Sequence, residues 1–76
     1  MQRNKQNIIK DILETLNNSR ELNYSKLMRK SNLNSINCNK YIDFLTEKKC
    51  MERTSNRFRI TNIGLDLLWQ LKEICL

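Results

Sequence analysis

The chain has 76 residues, 39% of them hydrophobic, with a formal net charge of +6, a single glycine, no proline and no histidine. A chain this short forms one domain that buries only about 60% of the surface its unfolded form exposes, so it folds marginally and a partner chain would add stability. No apolar run approaches the roughly 18 residues of a membrane span, and the polar start MQRNKQN lacks the apolar stretch of a signal peptide, so no membrane association and a cytoplasmic location are expected.

In chain order, Asn4 to Leu16 reads as a helix, with Ile9, Ile12, Leu13 and Leu16 at helical spacing, Ile8 broadening the face and Asn17-Asn18-Ser19 ending it. Glu21-Leu22-Asn23 is a short extended piece suited to a sheet edge. A second helix starts at Asn23 or Tyr24 and runs to about Ser31, burying Leu27 and Met28. Asn32-Leu33-Asn34 is a turn. Asn34 or Ser35 caps a third helix to about Lys48, with Cys38, Tyr41, Ile42 and Leu45 inward and Ser35, Asn37, Asn39 and Lys40 outward.

Beyond Cys50 the hydrophobic period changes from helical to alternating. A hairpin with Ser55 and Asn56 at its turn sets Met51 against Ile60 and Glu52 against Arg59, the latter a cross-strand ion pair worth under about 1 kcal/mol. Asn56 is the turn residue expected to take a positive φ. Arg57 and Arg59 then share the outer face. Thr61 caps a last helix, Asn62 to Ile74, whose Ile63, Leu65, Leu67, Leu68, Trp69, Leu71 and Ile74 exceed one narrow stripe and call for packing on two sides.

Charge follows this layout. Residues 20–61 carry ten bases and four acids, which is the whole net charge of the chain. Leu22 to Ile42 holds Lys26, Arg29, Lys30 and Lys40 with no acid, and Arg53 to Leu65 holds three arginines with no acid. Two acid-free basic windows in one small domain point to a polyanion-binding face. Eleven asparagines suit caps, turns and base-edge contacts alike.

The order helix, short strand, helix, turn, helix, hairpin, helix is that of a helix-turn-helix (residues 24–48) with a wing (50–60) and a C-terminal helix (62–75), a mostly α member of the α+β class spanning 1–76 as one domain. The stretch LNYSKLMRKSNLNSINCNKYIDFLTEKKCMERTSNRFRITNIGLDLL resembles the small archaeal winged-helix transcription regulators, distantly similar to MarR-type proteins, over roughly residues 8 to 75. Tyr24, Leu27, Met28, Leu33, Tyr41 to Leu45, Phe58 to Thr61 and Gly64 carry the resemblance. Lys49 and Asn56 stand where the family usually has glycine, and the glycine or proline often found before Leu22 is absent.

The architecture sets the third helix in a DNA major groove, with the wing against the backbone or the adjacent minor groove. Ser35, Asn37 and Lys40 are then the base-edge candidates. Lys26, Arg29, Lys30, Arg53, Asn56, Arg57 and Arg59 are the backbone candidates, although Arg57 and Arg59 on an exposed hairpin also suit simple solubilising charges. Leu65, Leu68, Trp69, Ile74 and Cys75 form the expected homodimer surface, which would present two reading helices to half-sites about one DNA turn apart; the alternative is that Trp69 caps the domain's own core.

Cys38, Cys50 and Cys75 match no zinc spacing. Cys38, in an apolar helical slot, and Cys50, at the start of a strand, read as small buried hydrophobes, and a cross-subunit disulfide at Cys75 stays open. With no histidine, no glycine-rich phosphate loop and no nucleophile beside a base, neither enzymatic activity nor a cofactor, metal or small-molecule ligand is expected. The reading is a homodimeric, sequence-specific regulator of transcription that binds double-stranded DNA. The alternatives are a winged-helix module that binds an acidic protein and an architectural protein that binds DNA without regard to sequence.

Overall fold

The computed structural model describes residues 4–74. Its elements are α1 (Lys5–Ser19), β1 (Glu21–Asn23), α2 (Tyr24–Lys30), α3 (Ser35–Glu47), β2 (Met51–Thr54), β3 (Arg57–Ile60) and α4 (Asn62–Ile74).

Asparagine starts three of the four helices by the same device. The Oδ1 atoms of Asn4, Asn23 and Asn34 accept from the backbone N–H groups of Asn7, Lys26 and Asn37 at 2.8, 2.9 and 2.8 Å. Each cap satisfies one donor that the first helical turn leaves free, at about 1 kcal/mol apiece. Thr61 does the same for α4, its Oγ1 accepting from Gly64 N at 3.1 Å.

Two helices also end alike. At the end of α2, Leu33 N donates to Met28 O and Asn32 N to Arg29 O, with Asn32 at φ 57°. At the end of α3, Cys50 N donates to Leu45 O and Lys49 N to Thr46 O, with Lys49 at φ 63°. Both are Schellman ends around a left-handed residue. Asparagine tolerates that conformation, whereas lysine there costs about 1 kcal/mol relative to glycine. The strained loop is tied down from outside, because Thr61 Oγ1 donates to Lys49 O at 2.6 Å.

Three local expectations are corrected. α1 does not stop at Leu16 but continues through Asn17 and Asn18 to Ser19, leaving the helix at Arg20 with φ 64°. Once a helix is nucleated, each added residue gains a hydrogen bond, which outweighs the modest reluctance of asparagine. In the hairpin turn it is Ser55, at φ 55°, and not Asn56 that takes the positive φ; a turn with its first central residue left-handed needs only that one. Cys50 precedes β2 and does not open it.

The sheet runs β1-β3-β2, antiparallel throughout. Met51 opposes Ile60 and Glu52 opposes Arg59, the expected register. One face of the sheet carries the row Leu22, Phe58, Arg53, and its two apolar members are buried. The core closes over this face with Ile9, Ile12, Leu13 and Leu16 of α1, Leu27 of α2, Cys38, Ile42 and Leu45 of α3, and Leu68 and Leu71 of α4. Tyr41 and Met28 sit half-buried at its rim. Gly64 is required by close approach: a Cβ there would lie 2.0 Å from Cys50 O and 2.8 Å from Ile60 Cγ1. α4 therefore packs directly on the backbone that joins α3 to the wing.

Candidate nucleic-acid interface

α3 is held at its N-terminal end by α2, whose Tyr24 Oη donates to Ser35 O at 3.3 Å. This contact and the Asn32 turn set the angle at which α3 leaves the core. Ser35, Asn37 and Lys40 are all exposed. Helical period divides them. Ser35, Asn39 and Asp43 form one stripe at four-residue spacing, on the side of the wing. Lys40 continues the outermost stripe from Ile36, which is 78% exposed. Asn37 stands on the flank away from the wing.

Between α3, the start of α2 and the wing lies an open groove of about 410 Å³. Asn23, Tyr24 and Ser25 line it from the α2 side, Asn39, Ile42 and Asp43 from α3, and Arg53, Asn56 and Phe58 from the wing. Asn39, Asp43 and Ser25 were not among the expected contact residues. For the first two, the four-residue spacing with Ser35 gives a common stripe but does not say that the stripe faces the wing. Ser25 had no such signal, because only the fold brings the start of α2 beside the wing.

The wing divides its arginines between two faces. Arg53 lies on the Phe58 side, toward α3; its guanidinium is 5.6 Å from the Phe58 ring centre and its Nε donates to Ser55 O at 3.3 Å. Arg57 and Arg59 lie on the opposite face, because side chains alternate along a strand. Both are paired there. Arg59 Nε donates to Glu52 Oε1 at 2.6 Å, and Arg57 Nη1 to Glu21 Oε1 at 3.3 Å. Glu21 also sits directly across from Arg59, so acids flank that arginine on both neighbouring strands. Lys26, Arg29 and Lys30 of α2 are exposed, and their side chains make no ion pair among the described residues.

On α4 the expected dimer surface is redrawn. Leu68 is fully buried in the chain's own core and cannot face a partner. Leu65 is half-buried and Trp69 is 57% exposed. Lys72 Nζ lies 5.1 Å from the Trp69 ring centre and 3.7 Å from Glu14 Oε2, tying this edge of α4 to α1. The opposite edge carries Ile63, 52% exposed, and half-buried Leu67. The side chain of Ile74 and all of Cys75 lie outside the described residues.

The thiols of Cys38 and Cys50 are buried, and burial pushes both above the ordinary thiol range, with Lys48 partly offsetting this at Cys50. They are unreactive core residues. Among the described residues no group of three or more His, Cys, Asp or Glu side chains is placed to hold a metal, and no helix is long and apolar enough to cross a membrane.

The sequence matches no curated protein. The fold is similar to that of Sso10a-2, described as a DNA-binding protein from Sulfolobus solfataricus, with a TM-score of 0.84 and 23% identity over 96% of this chain and 79% of that one. At that identity the likeness is one of fold. Residues 2–75 match the winged helix-turn-helix pattern, and the chain belongs to the winged helix-turn-helix family.

Proposed function

We propose that the protein binds double-stranded DNA as a homodimer, reads sequence with α3 and regulates transcription in the cytoplasm of an archaeal cell. The family assignment points to a binding protein and not to an enzyme. The observation that carries the reading is the exposed polar surface of α3 beside a groove lined by the start of α2 and by the wing, together with exposed α2 cations that make no ion pair among the described residues. Ser35, Asn37 and Lys40 are the base-edge contacts, with Asn39 added from the groove. Lys26, Arg29 and Lys30 neutralise phosphates beside the major groove, and Arg53 and Asn56 do so from the wing. Arg57 and Arg59 would meet a phosphate with their charge already offset by Glu21 and Glu52.

Dimerisation is assigned to the Leu65 and Trp69 edge of α4. A two-fold pair of reading helices fits a palindromic site. The test is selection from a random duplex library at two salt concentrations, alongside sedimentation of the wild type and Trp69→Ala. A palindromic motif together with a dimer that Trp69→Ala weakens supports the reading. Salt-dependent binding with no motif leaves an architectural protein.

A second reading rests on Ile36. A large aliphatic side chain at the outermost position of α3 suits an apolar groove on an acidic protein as well as a thymine methyl. Absence of duplex binding at low salt would leave this module as the function.

A further inference from the structure

Asp43 is the anomaly of the DNA-facing surface. It is exposed on α3, on the same stripe as Ser35 and Asn39, and it lines the groove closed by Arg53 and Asn56 of the wing. Its carboxylate makes no hydrogen bond or ion pair among the described residues. Arg53 of the wing lines the same groove, but its Nε donates to Ser55 O and its guanidinium lies 5.6 Å from the Phe58 ring centre. An ionised carboxylate only accepts hydrogen bonds, so against a phosphate it repels. The wing acids Glu21 and Glu52 differ in kind, because each is already occupied by an arginine.

A surface built to meet a polyanion carries an unpartnered carboxylate at one cost: it lowers affinity wherever DNA offers only acceptors there. The cost is recovered where the DNA presents a donor. In the major groove the only donors on base edges are exocyclic amino groups, N4 of cytosine and N6 of adenine. We propose that Asp43 is a specificity determinant that accepts a hydrogen bond from one such amino group, while Arg53 holds the adjoining strand. This rests on the reading of the protein as a DNA-binding one. Asp43 thereby rejects sequences lacking an amino group at that step. Glu47 lies one turn further along α3, is also exposed, and does not line the groove. It serves as a charge control.

The test uses the duplex recovered by selection, with each cytosine in turn replaced by 2-pyrimidinone and each adenine by purine, so that single amino groups are deleted. Wild type, Asp43→Ala and Glu47→Ala are compared; alanine favours an exposed helical position, and circular dichroism confirms the fold. The expected result is one position where deletion weakens the wild type by about tenfold, leaves Asp43→Ala unchanged and still weakens Glu47→Ala. Whether the sensitive position is a cytosine or an adenine identifies the base. The inference is overturned if Asp43→Ala keeps the wild-type penalty at every position, or if it tightens binding to all duplexes equally, which is plain charge relief. Failure of the wild type to bind any duplex removes the DNA-binding reading itself and this inference with it.

Discussion

The two basic windows of this chain look alike as strings and differ as surfaces. In α2, Lys26, Arg29 and Lys30 stand exposed and form no ion pair among the described residues. In the wing, Arg57 and Arg59 are each held by a glutamate, one of which, Glu21, is 36 residues away in the chain. The wing's outer face thus sets two arginines against two acids, while α2 keeps its full charge. An acid-free window reports the field around a segment only if no neighbouring strand supplies the missing acid. A helix that flanks the core has no such neighbour on its outer side, whereas the central strand of a sheet has two.

The largest effect is expected from detaching the wing at its root. Gly64→Ala forces a Cβ against the Cys50 carbonyl, a backbone atom that cannot turn aside. We expect a loss of about 3 kcal/mol, read as a lowered urea midpoint at unchanged slope. A midpoint shift below a few tenths of a molar would mean that α4 does not rest on that backbone.

Removing the charge of α2 comes next. The Lys26→Ala, Arg29→Ala, Lys30→Ala variant should bind DNA roughly a hundredfold more weakly at low salt and lower the salt slope by about 3, with sequence preference kept. Equal losses from the α2 triple variant and from an Arg57→Ala, Arg59→Ala pair would erase the distinction between the two regions.

Within the wing, Arg53→Ala should weaken binding about fivefold to tenfold, and Arg57→Ala or Arg59→Ala by about twofold or less. Their exposed ion pairs contribute at most about 1 kcal/mol to stability. The complementary test is to free them. Glu21→Gln with Glu52→Gln should tighten binding and steepen its salt dependence if the outer face of the wing lies near phosphate. An unchanged slope would place that face away from DNA.

The smallest effect concerns the thiols and leaves both charged regions intact. Burial raises the pKa of Cys38 and Cys50 above their ordinary value of 9.0, so the folded state holds these protons more tightly than the unfolded one. The unfolded chain loses them first as pH rises. Stability is therefore fully present below about pH 9 and declines above it. Thermal melts between pH 7 and 10 should show this decline, and Cys38→Ala with Cys50→Ala should reduce it. A melting temperature that stays level to pH 10 would count against burial of the thiols.

Most of the fold was legible because it is carried by local chemistry. Asn23 and Asn34 mark helix starts by capping, which acts over three residues. The alternation from Met51 to Ile60 places Met51 opposite Ile60 and Glu52 opposite Arg59, since a two-residue turn leaves one register. Propensity misled at Asn17 and Asn18, where the chain stayed helical, and at the hairpin turn, where Ser55 took the strained position. The base-edge candidates were read as exposed from periodicity, but periodicity alone does not say which flank of α3 meets the wing. Asn39 and Asp43 needed the groove to be recognised.

The order of elements, their caps, the strand register and the basic character of the middle of the chain follow from local chemistry, because each depends on neighbours a few residues apart. Packing settles that Glu21 neutralises Arg57, that Arg53 faces α3 while Arg59 does not, that Leu68 belongs to the core and Trp69 to the surface, and that Gly64 must lack a side chain. These depend on which elements come to lie side by side. That is set by how the apolar faces of four helices and a three-stranded sheet close over one another, a property of the whole chain.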